Sequence, residues 1–135
     1  MSTETGTPAA WWKRVVAIVV DGIVVAVVGT IVGAVLGLGF FTRVVFIELL
    51  GFAYYGLLNG SARGQTVGKM AMRIRTRSEM GGALGIGPAL LRYAVVFVLT
   101  LLCGVPALVD GAWPLWDKRR QALHDKVVRS VVVNA

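Results

Sequence analysis

The chain has 135 residues, 56% of them hydrophobic and 16% charged, with 14 Lys and Arg against 7 Asp and Glu. That length allows one domain, and a mean hydropathy of +0.74 excludes an ordinary soluble core and points to a membrane domain. The net charge of +7 falls in short basic blocks between apolar runs. Such blocks set membrane orientation and meet anionic lipid headgroups, and they argue against a nucleic-acid surface.

In chain order, residues 1–10 are polar and small and are expected to form a disordered cytoplasmic tail, with residues 11–135 a single membrane domain. Residues 15–38 hold one ionisable group, Asp21, in 24 positions. A first transmembrane helix is therefore predicted over 12–36, with Trp11 and Trp12 as interfacial anchors beside Lys13 and Arg14. A signal peptide is the rival reading, but the run is too long, Asp21 interrupts it and no clean cleavage site follows. Gly37-Leu38-Gly39 offers a turn, and a second helix follows over 40–58, carrying Arg43 and Glu48.

Residues 59–87 form the most polar stretch, with five cations against Glu79 alone, which places it in the cytoplasm. Alternation over residues 72–77 predicts a short strand there. Residues 88–116 are apolar but broken at Gly104-Val105-Pro106, as a broken helix or a helical hairpin. A hairpin returns the basic tail, 117–135, to the cytoplasm. That tail reads as a short helix or turn over 121–126 and a strand over 127–133, which would pair with the loop strand. The predicted fold is thus an α-helical membrane protein with a small cytoplasmic two-stranded β element. It would be multi-pass in the cell membrane with both termini cytoplasmic.

An acid at mid-span costs roughly 2.5–3.5 kcal/mol on insertion scales, so Asp21 implies a polar partner, an ion or a water path. Arg14 shares its helix face but lies about 10 Å away along the axis, too far for direct contact. The pair is either a polar lane or a topology determinant plus a structural cap. Gly22, Ala26, Gly29, Gly33 and Gly37 form a small-residue face for close helix packing. Glu48, Tyr55 and Asn59 share a face of the second helix. Glu48 and Asp110 would either build an ion site with Asp21 or pair with Arg43 and Arg92.

Gly64-Gln65-Thr66-Val67-Gly68-Lys69 looks like a phosphate loop but fails as one. Arg63 stands where the first glycine is needed, and Met70 where Ser or Thr is needed. His124-Asp125 lacks a second His or Cys for a metal, and Cys103 reads as a structural thiol. With no nucleophile–base pair or metal cluster, no enzyme and no cofactor are expected.

Arg14, Asp21, the Gly64–Lys69 motif with its Gly64, Thr66, Gly68 and Lys69, then Leu91-Arg92 and the run WDKRRQALHDK ending in His124, Asp125 and Lys126 occur in a distinctive order. Taken together the chain resembles the RDD family of small integral membrane proteins, named for one Arg and two Asp. Arg14 and Asp21 match the first two, and Asp125 is placed as the third. The resemblance implies a membrane protein with a suggested transport role, cation/proton antiport being attributed to some members. Such a small pathway would call for a homo-oligomer or a larger membrane complex. A non-catalytic accessory subunit or assembly factor is the alternative.

Overall fold

The computed structural model describes residues 6–102 and 105–135. It is mostly helical, with two helices long and apolar enough to be candidate membrane spans and a small two-stranded sheet. The helices are α1 (Trp11–Val35), α2 (Phe40–Gly60), α3 (Val67–Ala71), α4 (Ile86–Leu101), α5 (Val105–Ala112) and α6 (Leu123–Val127). The strands are β1 (Ile74–Ser78) and β2 (Ser130–Asn134).

The 25 residues of α1 cover about 37 Å. Its end is set by Gly37 at φ +68°. The Gly37 N–H donates to Ala34 and the Leu38 N–H to Gly33, at 3.0 and 2.9 Å. This is the Schellman arrangement, in which a left-handed residue satisfies the last carbonyls. Gly37 is therefore a turn residue and not part of the α1 packing face. The small-residue face divides further. Gly29 and Gly33 are buried against Ile47 and Arg43 of α2, where a Cβ would come within 2.6 and 2.9 Å of those side chains. Gly22 and Ala26, in contrast, are exposed.

The most extensive helix contact joins α2 and α4. Gly56 and Gly60 make it close: a Cβ on Gly56 would strike Leu90, and one on Gly60 would lie 2.5 Å from the Gly85 carbonyl oxygen. Between α4 and α5 the chain doubles back, since Arg92 and Asp110 both reach α6. Cys103 and Gly104 of the expected break lie outside the described residues.

β1 and β2 pair antiparallel, with Ile74 opposite Asn134, Thr76 opposite Val132 and Ser78 opposite Ser130. The far edge of β2 is occupied too. Pro8 bridges Val133, the Ala9 N–H donates to Val132 at 2.9 Å, and the Asn134 N–H donates to Thr7 at 2.9 Å. The disordered tail expected over residues 1–10 therefore does not extend to residues 7–9. Their backbone groups satisfy a strand edge that would otherwise be open, and Ala9 is fully buried beside Ala17, Ile74 and Val132. Residues 1–5 lie outside the described residues.

Burial is inverted relative to a soluble domain. Ile18, Ile23 and Ile31 on α1 are 56, 59 and 58% exposed, while Arg14, Asp21, Asn59, Lys69, Arg92 and Asp125 are buried. The register is directly testable. With Cys103 replaced by Ser, Ile74→Cys with Asn134→Cys should form a disulfide under mild oxidation, since opposed residues of this pairing lie within disulfide reach. Ile74→Cys with Val131→Cys should not, and the reverse result on a gel would rule out this register.

Candidate functional site

Two polar clusters and a cavity lie where α1, α2, α3, α4 and the chain end converge. The first cluster is built on Asp21. Its Oδ1 accepts from the Tyr54 hydroxyl at 2.8 Å and the Gly68 N–H at 2.8 Å, and its Oδ2 accepts from the Thr66 hydroxyl at 2.6 Å. Thr66 is also the N-cap of α3, accepting from the Lys69 N–H. The start of α3 thus holds the Asp21 carboxylate with backbone and hydroxyl donors, the way helix N-termini hold anions.

The Gly64–Lys69 motif is legible residue by residue in this contact. Gly64 takes φ +62° against the Thr76 carbonyl, and a Cβ on Gly68 would strike the Ala17 carbonyl of α1. Gln65 donates to the Ile74 carbonyl at 3.0 Å. Lys69 turns inward, its Nζ donating to Asn59 Oδ1 and Thr76 Oγ1 at 2.6 Å each. Burial, reinforced by the Arg92 and Arg14 charges, pushes its amine well below the ordinary lysine value.

The second cluster is built on Asp125, which is fully buried. Its Oδ2 accepts from Arg14 Nη2 at 2.6 Å, and its Oδ1 accepts from Arg92 Nε and Nη2 at 2.8 and 2.5 Å. The Ala122 N–H at 2.9 Å and the Ser130 hydroxyl at 3.2 Å complete the shell. Burial alone would raise this carboxyl, but the two guanidiniums hold it well below the usual carboxylate range. Arg14 also donates to the Arg120 carbonyl at 2.8 Å. Beside it, Asp110 accepts from the His124 N–H at 2.8 Å and faces His124 Nδ1 at 2.6 Å. Burial lowers the His124 imidazole below its ordinary value despite Asp125 and Asp110 nearby.

The structure therefore brings Arg14, Arg92, His124 and Asp125 together and seats Asp21 with Thr66 and Gly68. Several expected pairings are replaced. Asp110 meets His124 and not Arg92. Asp21 bonds to α2 and to the start of α3. Glu48 joins neither cluster: it sits half-buried at mid-helix, with the Tyr93 hydroxyl donating to it at 3.4 Å. Arg43 turns to the Leu38 carbonyl at 3.0 Å. The Glu48 position is set by Tyr93, which stacks on Tyr55 at 4.9 Å and fills the space between α2 and α4. Sequence reasoning missed Tyr54 and Thr76 as partners. The faint signal for Tyr54 was its place beside Tyr55 on the one helix facing Asp21.

A cavity of about 270 Å³ separates α1 from α4. Arg14, Asp21, Lys69, Arg92, Asp110 and His124 supply its polar lining, and Val15, Ile18 and Val96 are among its apolar wall residues. Among the described residues no group of His, Cys, Asp and Glu has the geometry to hold a metal.

The model of the RDD family matches residues 8–129. A proline-rich antigen of Mycobacterium leprae is 35% identical over 91 residues, which is 64% of this chain and 34% of that protein. A proline-rich antigen homolog of Mycobacterium tuberculosis is 34% identical over 88 residues, covering 62% of this chain and 35% of its own. The chain thus spans about a third of the length of these relatives. An uncharacterised protein of Bacillus subtilis is 25% identical over 151 residues, 93% of this chain and 97% of that one. No solved structure matches.

Two measurements probe the clusters. Asp125→Asn leaves two buried guanidiniums without their carboxylate and should destabilise the fold by about 3–5 kcal/mol, read as a lowered melting temperature in detergent. His124 and Asp125 both hold protons less tightly folded than unfolded. Lys69, whose amine is lowered too, adds to this, so stability should fall as pH drops first below about 10.4, then below about 6.5 and again below about 3.9, and Asp125→Asn should shrink only the last step. Gly68→Ala must push α3 off α1 and should melt well below the parent. Gly22→Ala, with open space at its Cβ, should melt with it.

Proposed function

The chain belongs to the RDD family, and from that premise we propose that it is a multi-pass protein of the cell membrane that passes a small ligand through the cavity between α1 and α4. The observation that carries this reading is the cavity itself. A solvent-sized space lined by buried charges is kept open between two helices whose outer faces are apolar. Helix packing alone gives no reason to leave such a space unfilled. The membrane setting is supported by α1 and α2, of mean hydropathy 2.8 and 1.5 over their most apolar windows, and by the inverted burial. The α4–α5 hairpin and the basic residues of the loop and tail support cytoplasmic termini.

The acids themselves do not form a chain of open cation sites in this reading. Each oxygen of Asp21 and Asp125 already accepts a hydrogen bond within the protein. Passage is assigned to the cavity, with the acids holding its walls. The accessory-subunit reading keeps one observation in its favour: Gly22 and Ala26 stay exposed on α1, where a partner helix could approach closely.

Sided labelling separates the two. In a Cys103→Ser background, Val96→Cys faces the cavity. A membrane-impermeant thiol reagent should reach it from the cytoplasmic side and, in a second fraction of molecules, from the other side. Reaction from one side only would sink the transport reading and leave the accessory one. A periplasm-active reporter fused after Ala135 should stay silent; strong activity would overturn the cytoplasmic placement of the tail.

A further inference from the structure

The donors and acceptors around the cavity are not equally satisfied. Every carboxylate oxygen lining it, from Asp21 and Asp110, accepts at least one hydrogen bond or faces a histidine nitrogen. The cations are different. Arg92 is 7% exposed and uses Nε and Nη2 on Asp125, while its Nη1 has no partner among the described residues. Lys69 is 8% exposed and donates to Asn59 and Thr76, so a third N–H, carried by its ammonium form, is left for a further acceptor. Both side chains line the cavity. Arg92 Nη1 is not among the fully buried atoms left without a partner, so it is open to an acceptor that enters the cavity, whereas a carboxylate oxygen with one bond is already served. The unmet capacity of this space is for an acceptor.

We propose that the cavity is an oxyanion site, in which a carboxylate, phosphate or sulfonate group accepts from Arg92 Nη1 and Lys69 Nζ. This rests on the reading of the cavity as a ligand site and names the ligand's chemistry. Guanidinium and ammonium groups are the usual partners of such oxygens. The wall formed by Val15, Ile18, Val96 and the Tyr55 and Tyr93 rings gives an alkyl or aromatic remainder an apolar surface beside the charged floor.

Binding is coupled to a proton. Lys69 shares the cavity with Arg14 and Asp21 of α1, Tyr55 of α2, Arg92 and Tyr93 of α4, Asp110 of α5 and His124 of α6, and also feels the charge of Asp125. Burial and the two arginines disfavour its ammonium in the empty site. An anion beside it favours the ammonium, so the anion brings a proton with it, and affinity rises as pH falls.

The test uses the full chain in phosphatidylcholine nanodiscs and calorimetric titration with four probes. Dodecanesulfonate keeps its charge across the pH range; dodecanol and dodecyltrimethylammonium are its neutral and cationic counterparts, and methanesulfonate lacks the chain. Dodecanesulfonate should bind at least tenfold more tightly than dodecanol or the cation, and more tightly at pH 6 than at pH 9. Lys69→Met should weaken it at least tenfold and flatten that pH dependence. Val96→Phe, which fills the cavity and leaves every charge in place, should weaken it too, so the site is tested even if Lys69→Met fails to fold. Equal binding of methanesulfonate would identify a soluble anion as ligand and leave the oxyanion site standing. Tighter binding of dodecanol or of the cation, lost in Val96→Phe, would overturn the oxyanion proposal while keeping the cavity as a ligand site. No binding of any probe would overturn both.

Discussion

Two guanidiniums share one carboxylate at the base of this fold, and the rest of the arrangement depends on that contact. Arg14 and Asp125 are 111 residues apart, and Arg92 and Asp125 are 33 apart. Closing such long segments costs chain entropy before any contact forms. Burying three charges costs several kcal/mol for each ion as well. The cost is offset only because each Asp125 oxygen meets a guanidinium directly and the remaining lone pairs meet Ala122 and Ser130. The cluster fixes the starts of α1 and α4 relative to the chain end. Since α1 and α4 are tied here and not packed along their lengths, a cavity remains between them.

The Asp21 cluster obeys the same constraint with neutral donors. A carboxylate inside a helix bundle needs hydrogen bonds more than it needs a countercharge, and three donors from Tyr54, Thr66 and Gly68 supply them. The likeness of the Gly64–Lys69 motif to a phosphate loop has a physical basis. Both use a small residue and a capping hydroxyl to bring an anion against the first turn of a helix. Here the anion is a side chain of the same protein, and the motif's lysine is drawn away from it to Asn59 and Thr76.

Much of this was legible in the sequence. The long apolar run, the division of the last apolar region into α4 and α5, and the two short strands all follow from periodicity and composition, and the strands do pair. What was hidden has definite causes. The register could not be read, because Val131, Val132 and Val133 are alike in type; Ile74 proved to face Asn134. The pairing of residues 7–9 with β2 carries no hydropathy signal at all, as main-chain bonds do not depend on side chains. The apolar run around Asp21 implies a polar partner without saying where it lies. Beside Tyr54 of α2, the partners are the cap and first turn of a five-residue helix inside a stretch that composition marks only as polar. Glu48 was grouped with Tyr55 and Asn59 by helical spacing alone, and Tyr93 of α4 meets Glu48 and Tyr55 together while Asn59 turns to Lys69.

The height of the polar layer has a consequence for the membrane setting proposed for the chain. With α3 packed against Ala17 and Asp21, the wholly apolar part of α1 begins near Gly22 and ends near Val35. Those 14 residues cover about 21 Å, well short of the roughly 30 Å hydrocarbon core. Yet Ile18 and Val19, at the height of the polar layer, are 56 and 55% exposed on the opposite side of the same helix. In the proposed membrane setting, apolar exposure on one side and a satisfied polar network on the other would set both clusters at the edge of the hydrocarbon layer, with α1 as the screen. Lipid then meets isoleucine and valine while Arg14, Asp21 and Lys69 keep a low-dielectric but hydrogen-bonded interior. In such an interior a charge that gains or loses a proton changes its neighbours' energies far more than it would in water. Tying the bundle through charges rather than apolar side chains leaves the cavity responsive to a ligand's charge.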